Sequence, residues 1–84
     1  MIVLTLYSRP GCHLCDEMKA IVQMVSRSVP LTLDEVDISS DPALEAAYGL
    51  DIPVLLVDGR KAAKYRITAE ALRRLLLAKA APPG

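Results

Sequence analysis

Hydrophobic positions along the chain follow two rhythms. Ile2-Val3-Leu4-Thr5-Leu6-Tyr7 is apolar or β-branched at nearly every step, the pattern of a central strand covered by helices on both faces. From His13 the period lengthens. Leu14, Met18, Ile21, Val22 and Val25 fall at i, i+4, i+7, i+8 and i+11, which is one stripe of an amphipathic helix. This predicts a helix from about His13 to Ser28, stopped by Ser28-Val29-Pro30 because a residue before proline avoids helical backbone. Leu31 to Ile38 then reads as a second strand. Leu31 and Leu33 have one parity and Val36 and Ile38 the other, so a bulge or a strand with two apolar sides is expected. A strand, a helix of about 15 residues and another strand make a βαβ unit with parallel strands.

The second half is shorter in its periods. Ser40 or Asp41 caps a short helix with Pro42 in its first turn. Leu44, Ala47 and Tyr48 form its predicted apolar face, and Gly49 is placed as its C-terminal stop. Asp51-Ile52-Pro53 leads into Val54-Leu55-Leu56-Val57, again apolar on both sides. Asp58-Gly59 is a tight-turn signal. A polar strand from about Arg60 to Tyr65 is expected to pair antiparallel at a charged sheet edge. Thr68 caps a last helix with Glu70 in its first turn and Leu72, Leu75 and Leu76 facing inward. The expected division is a domain over residues 1–80 and a flexible tail over 81–84.

Composition narrows the classes of function. With 84 residues the chain is one small domain. Ten Lys and Arg against ten Asp and Glu leave a formal net charge of zero, so no electrostatic drive toward nucleic acid or an anionic membrane is visible. The only aromatics are three Tyr, which argues further against base stacking. The N-terminal residues lack the basic and long apolar regions of a signal peptide, and no apolar run is long enough to cross a bilayer. A cytoplasmic, monomeric protein is expected. In that reducing compartment two cysteines point to redox or metal chemistry before structure.

Chemistry concentrates in Tyr7-Ser8-Arg9-Pro10-Gly11-Cys12-His13-Leu14-Cys15. The segment holds both cysteines and the sole histidine, and a Pro-Gly break separates the strand from the helix. Residues i and i+3 share a helix face, so Cys12 and Cys15 are expected within disulfide range. Cys12 falls at the helix N-terminus, where free N–H groups and the positive end of the dipole favour thiolate. Thiolate is the nucleophile of disulfide exchange. Cys12, His13 and Cys15 supply at most three metal ligands, with His13 adjacent to Cys12, short of the four that a closed zinc site uses. No metal site is assigned.

The order of elements, βαβ-α-ββα with C-x-x-C after the first strand, resembles the thioredoxin superfamily. The segment from Tyr7 to Cys15 resembles the glutaredoxin active site, with Arg9 where that family usually has Lys or Arg three residues before the first cysteine. Ile52-Pro53 resembles the superfamily's cis-proline element. The resemblance implies an α/β, thioredoxin-like (glutaredoxin-type) fold, a four-stranded mixed sheet flanked by helices. It implies a thiol–disulfide oxidoreductase in which Cys12 attacks a disulfide and Cys15 resolves the mixed disulfide. Arg9, His13, Leu14, Ile52 and Pro53 are the implied substrate-binding residues. The Ile52–Pro53 bond is expected to be cis, beside Cys12, leaving the Ile52 N–H and C=O free to pair with an extended thiol substrate.

Other features depart from that family. Glutaredoxins that use glutathione usually carry Gly-Gly and then Asp after the final hairpin. Here the segment reads Ala62-Ala63-Lys64-Tyr65-Arg66-Ile67-Thr68-Ala69-Glu70, and Leu14 replaces the usual aromatic before the second cysteine. The segment is most similar to that of the small group called glutaredoxin-like proteins. No cofactor is required for the dithiol reaction. The expected partner is a disulfide-containing protein or small thiol, with glutathione a candidate co-substrate of weak affinity. The alternatives are an iron–sulfur cluster carrier, sharing a cluster between two chains through Cys12, and a non-catalytic module that binds partners through the same groove. Arg60, Lys61, Lys64 and Arg66 read as a solvated hairpin face, or as holders of a carboxylate on glutathione or an acidic partner.

Overall fold

In the computed structural model, which describes residues 2–80, four strands and three helices follow the order read from the sequence. They are β1 (Ile2–Ser8), α1 (His13–Val25), β2 (Leu31–Asp37), α2 (Pro42–Tyr48), β3 (Val54–Val57), β4 (Arg60–Lys64) and α3 (Ala69–Ala80). A single 3-10 turn, Ile38–Ser40, precedes α2. The predicted tail, 81–84, lies outside the described residues. The sheet order is β2-β1-β3-β4. β1 runs parallel to β2 and antiparallel to β3, and β3 forms an antiparallel hairpin with β4.

β1 is the central organiser. Its even positions, Ile2, Leu4 and Leu6, pack into one core with Met18, Val22 and Val25 of α1, Leu55 and Val57 of β3, and Leu72 and Leu76 of α3. Burial of each such side chain is worth about 1.5–3 kcal/mol. The odd face is covered less completely, and there Tyr7 stacks on Tyr48 of α2 with ring centroids 4.5 Å apart. Helices α1 and α3 thus share one side of the sheet, and α2 lies on the other.

Several boundaries differ from the sequence reading. Helix α1 ends at Val25, three residues before Ser28. The Arg27 and Ser28 N–H groups bond to carbonyls three residues back, and the Ser26 and Ser28 hydroxyls donate to the Gln23 and Val25 carbonyls. These bonds tighten the last turn and end the helix early. β2 stops at Asp37, whose carboxylate accepts the Ser39 N–H at 2.9 Å and turns the chain. The β1–β2 register is unbroken from Ile2↔Leu31 to Ser8↔Asp37, so β2 has two half-buried sides and no bulge. The irregularity falls in the hairpin: Leu55 pairs with Ala63 but Leu56 with Lys61, which leaves Ala62 as the extra residue.

β4 ends at Lys64, one residue short of the expected Tyr65, because Tyr65 has φ 69° and turns the chain off the sheet. Helix α2 buries no residue fully. Its sheet-facing side is Leu44 and Tyr48, while Ala47 is exposed, since so short a helix presents only about two turns to the sheet. The caps follow the sequence: the Asp41 carboxylate accepts the Ala43 N–H at 2.9 Å and the Thr68 hydroxyl accepts the Ala71 N–H at 3.1 Å. Asp58 (φ 48°) and Gly59 (φ 85°) form the hairpin turn with both central residues left-handed.

Candidate active site

The loop between β1 and α1 makes the site. Gly11, at φ 78°, reverses the backbone, and the Cys12 N–H closes the turn on the Arg9 carbonyl at 3.2 Å. Cys12 is the N-cap of α1, in extended conformation. Its Sγ accepts the Cys15 N–H at 3.1 Å, and its carbonyl accepts the Asp16 N–H at 3.2 Å. A sulfur in the cap position therefore satisfies one of the orphan donors of the helix. The two cysteines are joined as a disulfide, with Cα atoms 5.2 Å apart.

Their environments differ sharply. Cys15 lies on the buried stripe of α1 and is 2% exposed. Cys12 sits half-buried at the helix end. Cys12 is thus the more accessible of the two residues, and Cys15 is screened within the buried stripe of α1.

The remaining sequence-predicted residues are placed unequally. His13 points into solvent, its side chain 86% exposed, with Nε2 3.7 Å from Glu17 of the next turn. Leu14 is half-buried and lines an apolar groove of about 530 Å³ with Met18, Ile21, Tyr65 and Ile67. A second, polar depression of about 310 Å³ opens beside Cys15 between Arg9, Gly11, Lys19, Glu35 and Asp37. Lys19 is paired there with Glu35 at 3.1 Å. The Asp37 carboxyl is held below its ordinary value, first by the Ser39 hydroxyl, then by the Ser39 N–H, with Arg9 adding a smaller pull.

The Ile52–Pro53 peptide is cis, and Pro53 is buried. The expectation for the Ile52 amide is corrected. Its N–H donates to the Tyr48 carbonyl at 3.1 Å, alongside the Asp51 N–H at 2.8 Å. The last carbonyls of α2 have no partner within the helix, and the chain leaving it supplies one. The Ile52 N–H is accordingly taken by the fold.

Sequence reading missed the partner of Arg9. Its guanidinium pairs with the Glu45 carboxylate of α2, across 36 residues of sequence. Of the hairpin cations, Lys61 lies 6.0 Å from the Tyr48 ring centre, and Lys64 lies 3.7 Å from Asp51 and 5.3 Å from the Tyr65 ring centre. The Tyr65 hydroxyl is 3.2 Å from both the Leu50 carbonyl and an Asp51 carboxylate oxygen. After the hairpin this chain thus holds a left-handed tyrosine tied to the loop before Pro53. Among the described residues no group of three or more His, Cys, Asp or Glu is placed to hold a metal ion, and no helix is long and apolar enough to cross a membrane.

A family model described as glutaredoxin-like domain matches residues 3–77. Among solved structures, a structural-genomics target protein from X. campestris is similar at 40% identity and TM-score 0.74, over 94% of this chain and 99% of that one. A protein from Nitrosomonas europaea is similar at 26% identity and TM-score 0.77, over 89% and 91% of the two chains. A mutant thioredoxin from Halobacterium salinarum, at 20% identity, shares the fold with TM-score 0.71 over 99% of this chain and 78% of that one.

Proposed function

The chain belongs to the glutaredoxin-like family of the thioredoxin fold, and on that premise we propose that it is a dithiol thiol–disulfide oxidoreductase. One observation carries the reading: the helix-capping Cys12 is half-exposed and disulfide-bonded to a buried Cys15. In the reduced protein, the Cys12 thiolate attacks one sulfur of a substrate disulfide. The first substrate thiolate leaves and takes up a proton. Cys15, deprotonated, then attacks the Cys12 sulfur of the mixed disulfide, expelling the second substrate thiol and closing the Cys12–Cys15 bond. Two electrons pass from the dithiol to the substrate, and two thiols are released. No cofactor enters that balance. An external thiol, for which glutathione is one candidate, returns the protein to the dithiol in the cytoplasm.

In this reading Arg9, His13, Leu14 and Pro53 contribute to substrate binding, Leu14 from the wall of the apolar groove. The Ile52 carbonyl is the remaining backbone pairing group, since the N–H is used internally. The test is trapping. Cys15→Ser, incubated with a disulfide-bonded peptide, is expected to accumulate a mixed disulfide at Cys12, and Cys12→Ser to lose disulfide reduction. An adduct at Ser-free Cys15 in the Cys12→Ser variant, with reduction retained, overturns the assignment.

A further inference from the structure

Two contacts pin α2 to the sheet, and they are geometrically linked. Tyr7 lies on the α2 side of β1, and Arg9 follows two residues on, just past the end of the strand. Glu45 and Tyr48 are three apart, one turn of helix, so they share a face of α2. Tyr7 stacks on Tyr48 at 4.5 Å with planes inclined 17°, and Arg9 pairs with Glu45 one rung further along. The stack sets the helix where Glu45 meets Arg9. Gly49 leaves room for the pair: a Cβ there would lie 2.9 Å from Glu45 Oε1 and 3.4 Å from Arg9 Nη2.

Arg9 is the cation closest in sequence to Cys12, and its carbonyl accepts the Cys12 N–H. Free, its guanidinium would attract an anionic thiol partner toward the dithiol. Here that charge is already matched by Glu45, and Asp37 lies within its field. Lys19, the other cation lining the polar depression, is matched by Glu35. Among the described residues, both cations that line the polar depression are thus already matched, while Arg66 lines the apolar groove beside Leu14.

We propose that Glu45 is a specificity-determining positioning residue, which holds Arg9 and so turns the dithiol site away from anionic thiol partners such as glutathione and toward neutral or cationic ones. The inference rests on the oxidoreductase reading for its biological meaning. Its electrostatic content concerns Cys12 alone and is measured without turnover.

The experiment uses two alkylating reagents of similar size on the reduced full chain. Iodoacetate is anionic and iodoacetamide neutral, and the ratio of their rates at Cys12 cancels the thiolate fraction and reports the local potential. In Glu45→Gln, which keeps size and hydrogen bonding, the iodoacetate-to-iodoacetamide ratio is expected to rise about two- to fourfold, the effect that one unmatched charge about 5–10 Å from the sulfur would exert in water. The rise is expected to shrink in about 0.5 M salt and to be largely lost in Arg9→Gln/Glu45→Gln. A merely structural role for Glu45 would move both reagents together and leave the ratio unchanged, and that result overturns the proposal. Oxidised glutathione and cystamine supply the functional arm. Glu45→Gln is expected to speed oxidation of the dithiol by the first and slow it by the second; parallel changes count against the proposal. A wild type inert to both refutes the oxidoreductase reading, while the alkylation ratio still decides the role of Glu45.

Discussion

Gly11→Ala isolates the backbone requirement of the active-site loop. Gly11 sits at φ 78°, and a Cβ built on it meets no atom within 4 Å. Steric crowding is therefore absent, and the whole penalty is conformational. An L side chain in left-handed backbone costs about 1–2 kcal/mol. Alanine also narrows the unfolded ensemble, which offsets about 0.4–1 kcal/mol of that. The expected net loss is about 1 kcal/mol, or roughly 4–8 °C in Tm for a domain of this size. The assay is urea unfolding of the disulfide-intact protein, with midpoints compared at a common slope. Gly11→Asn is expected to recover roughly half the loss, because Asn tolerates left-handed backbone. Gly59, at φ 85° and also open within 4 Å, should behave in parallel. Gly49 supplies the contrast. Its φ is −55°, ordinary for any residue, but a Cβ there would lie 2.5 Å from the Glu45 carbonyl. Its loss is steric, so Asn should be no better than Ala. A Gly11→Ala midpoint equal to wild type, or a Gly11→Asn no better than Gly11→Ala, refutes the argument.

Two further outcomes follow from the site and the hairpin. After reduction, Cys12 should react with iodoacetamide at least about tenfold faster than Cys15 near neutral pH, since one thiol caps a helix at the surface and the other is screened; peptide mass mapping over time reads the two rates, and equal rates contradict the placement. Asp58 accepts the Val3 N–H at 3.0 Å, and this bond, helped by Lys79 at 3.5 Å, holds its carboxyl below the ordinary range. The unfolded chain then binds the proton more readily, so the stabilisation is present above about pH 4 and lost as pH falls through the folded-state value. Asp58→Asn keeps the left-handed turn but has no charge to lose. Its unfolding curve should converge on wild type in strong acid and fall below it near neutrality; a constant gap across pH speaks against the linkage.

Local signals carried much of this protein. The period change at His13, the turn at Asp58-Gly59, and the caps at Asp41 and Thr68 each depend on residues a few positions apart, and the chain reads them directly. The dithiol was legible for the same reason, because one helical turn is enough to bring Cys12 and Cys15 together. Helix ends were less legible. Ser26 and Ser28 turn their hydroxyls back onto the last carbonyls of α1, and nothing in the apolar stripe announces where that competition begins.

What tertiary structure alone decided lies between elements. The Arg9–Glu45 pair and the Tyr7–Tyr48 stack join residues about forty apart, and no sequence period fixes which helix face meets which strand. The spacing of two from Tyr7 to Arg9 and of three in α2 was present in the chain, but it became a pair of adjacent contacts only once α2 lay across the sheet. The Ile52 N–H was lost to the substrate for a similar reason: the open end of α2 needs donors, and the loop before Pro53 passes within reach. The bulge at Ala62 is likewise a property of two paired strands. Short-range periodicity chose the elements and the reactive pair; the charge and hydrogen bonds left available around that pair were set by packing across the fold.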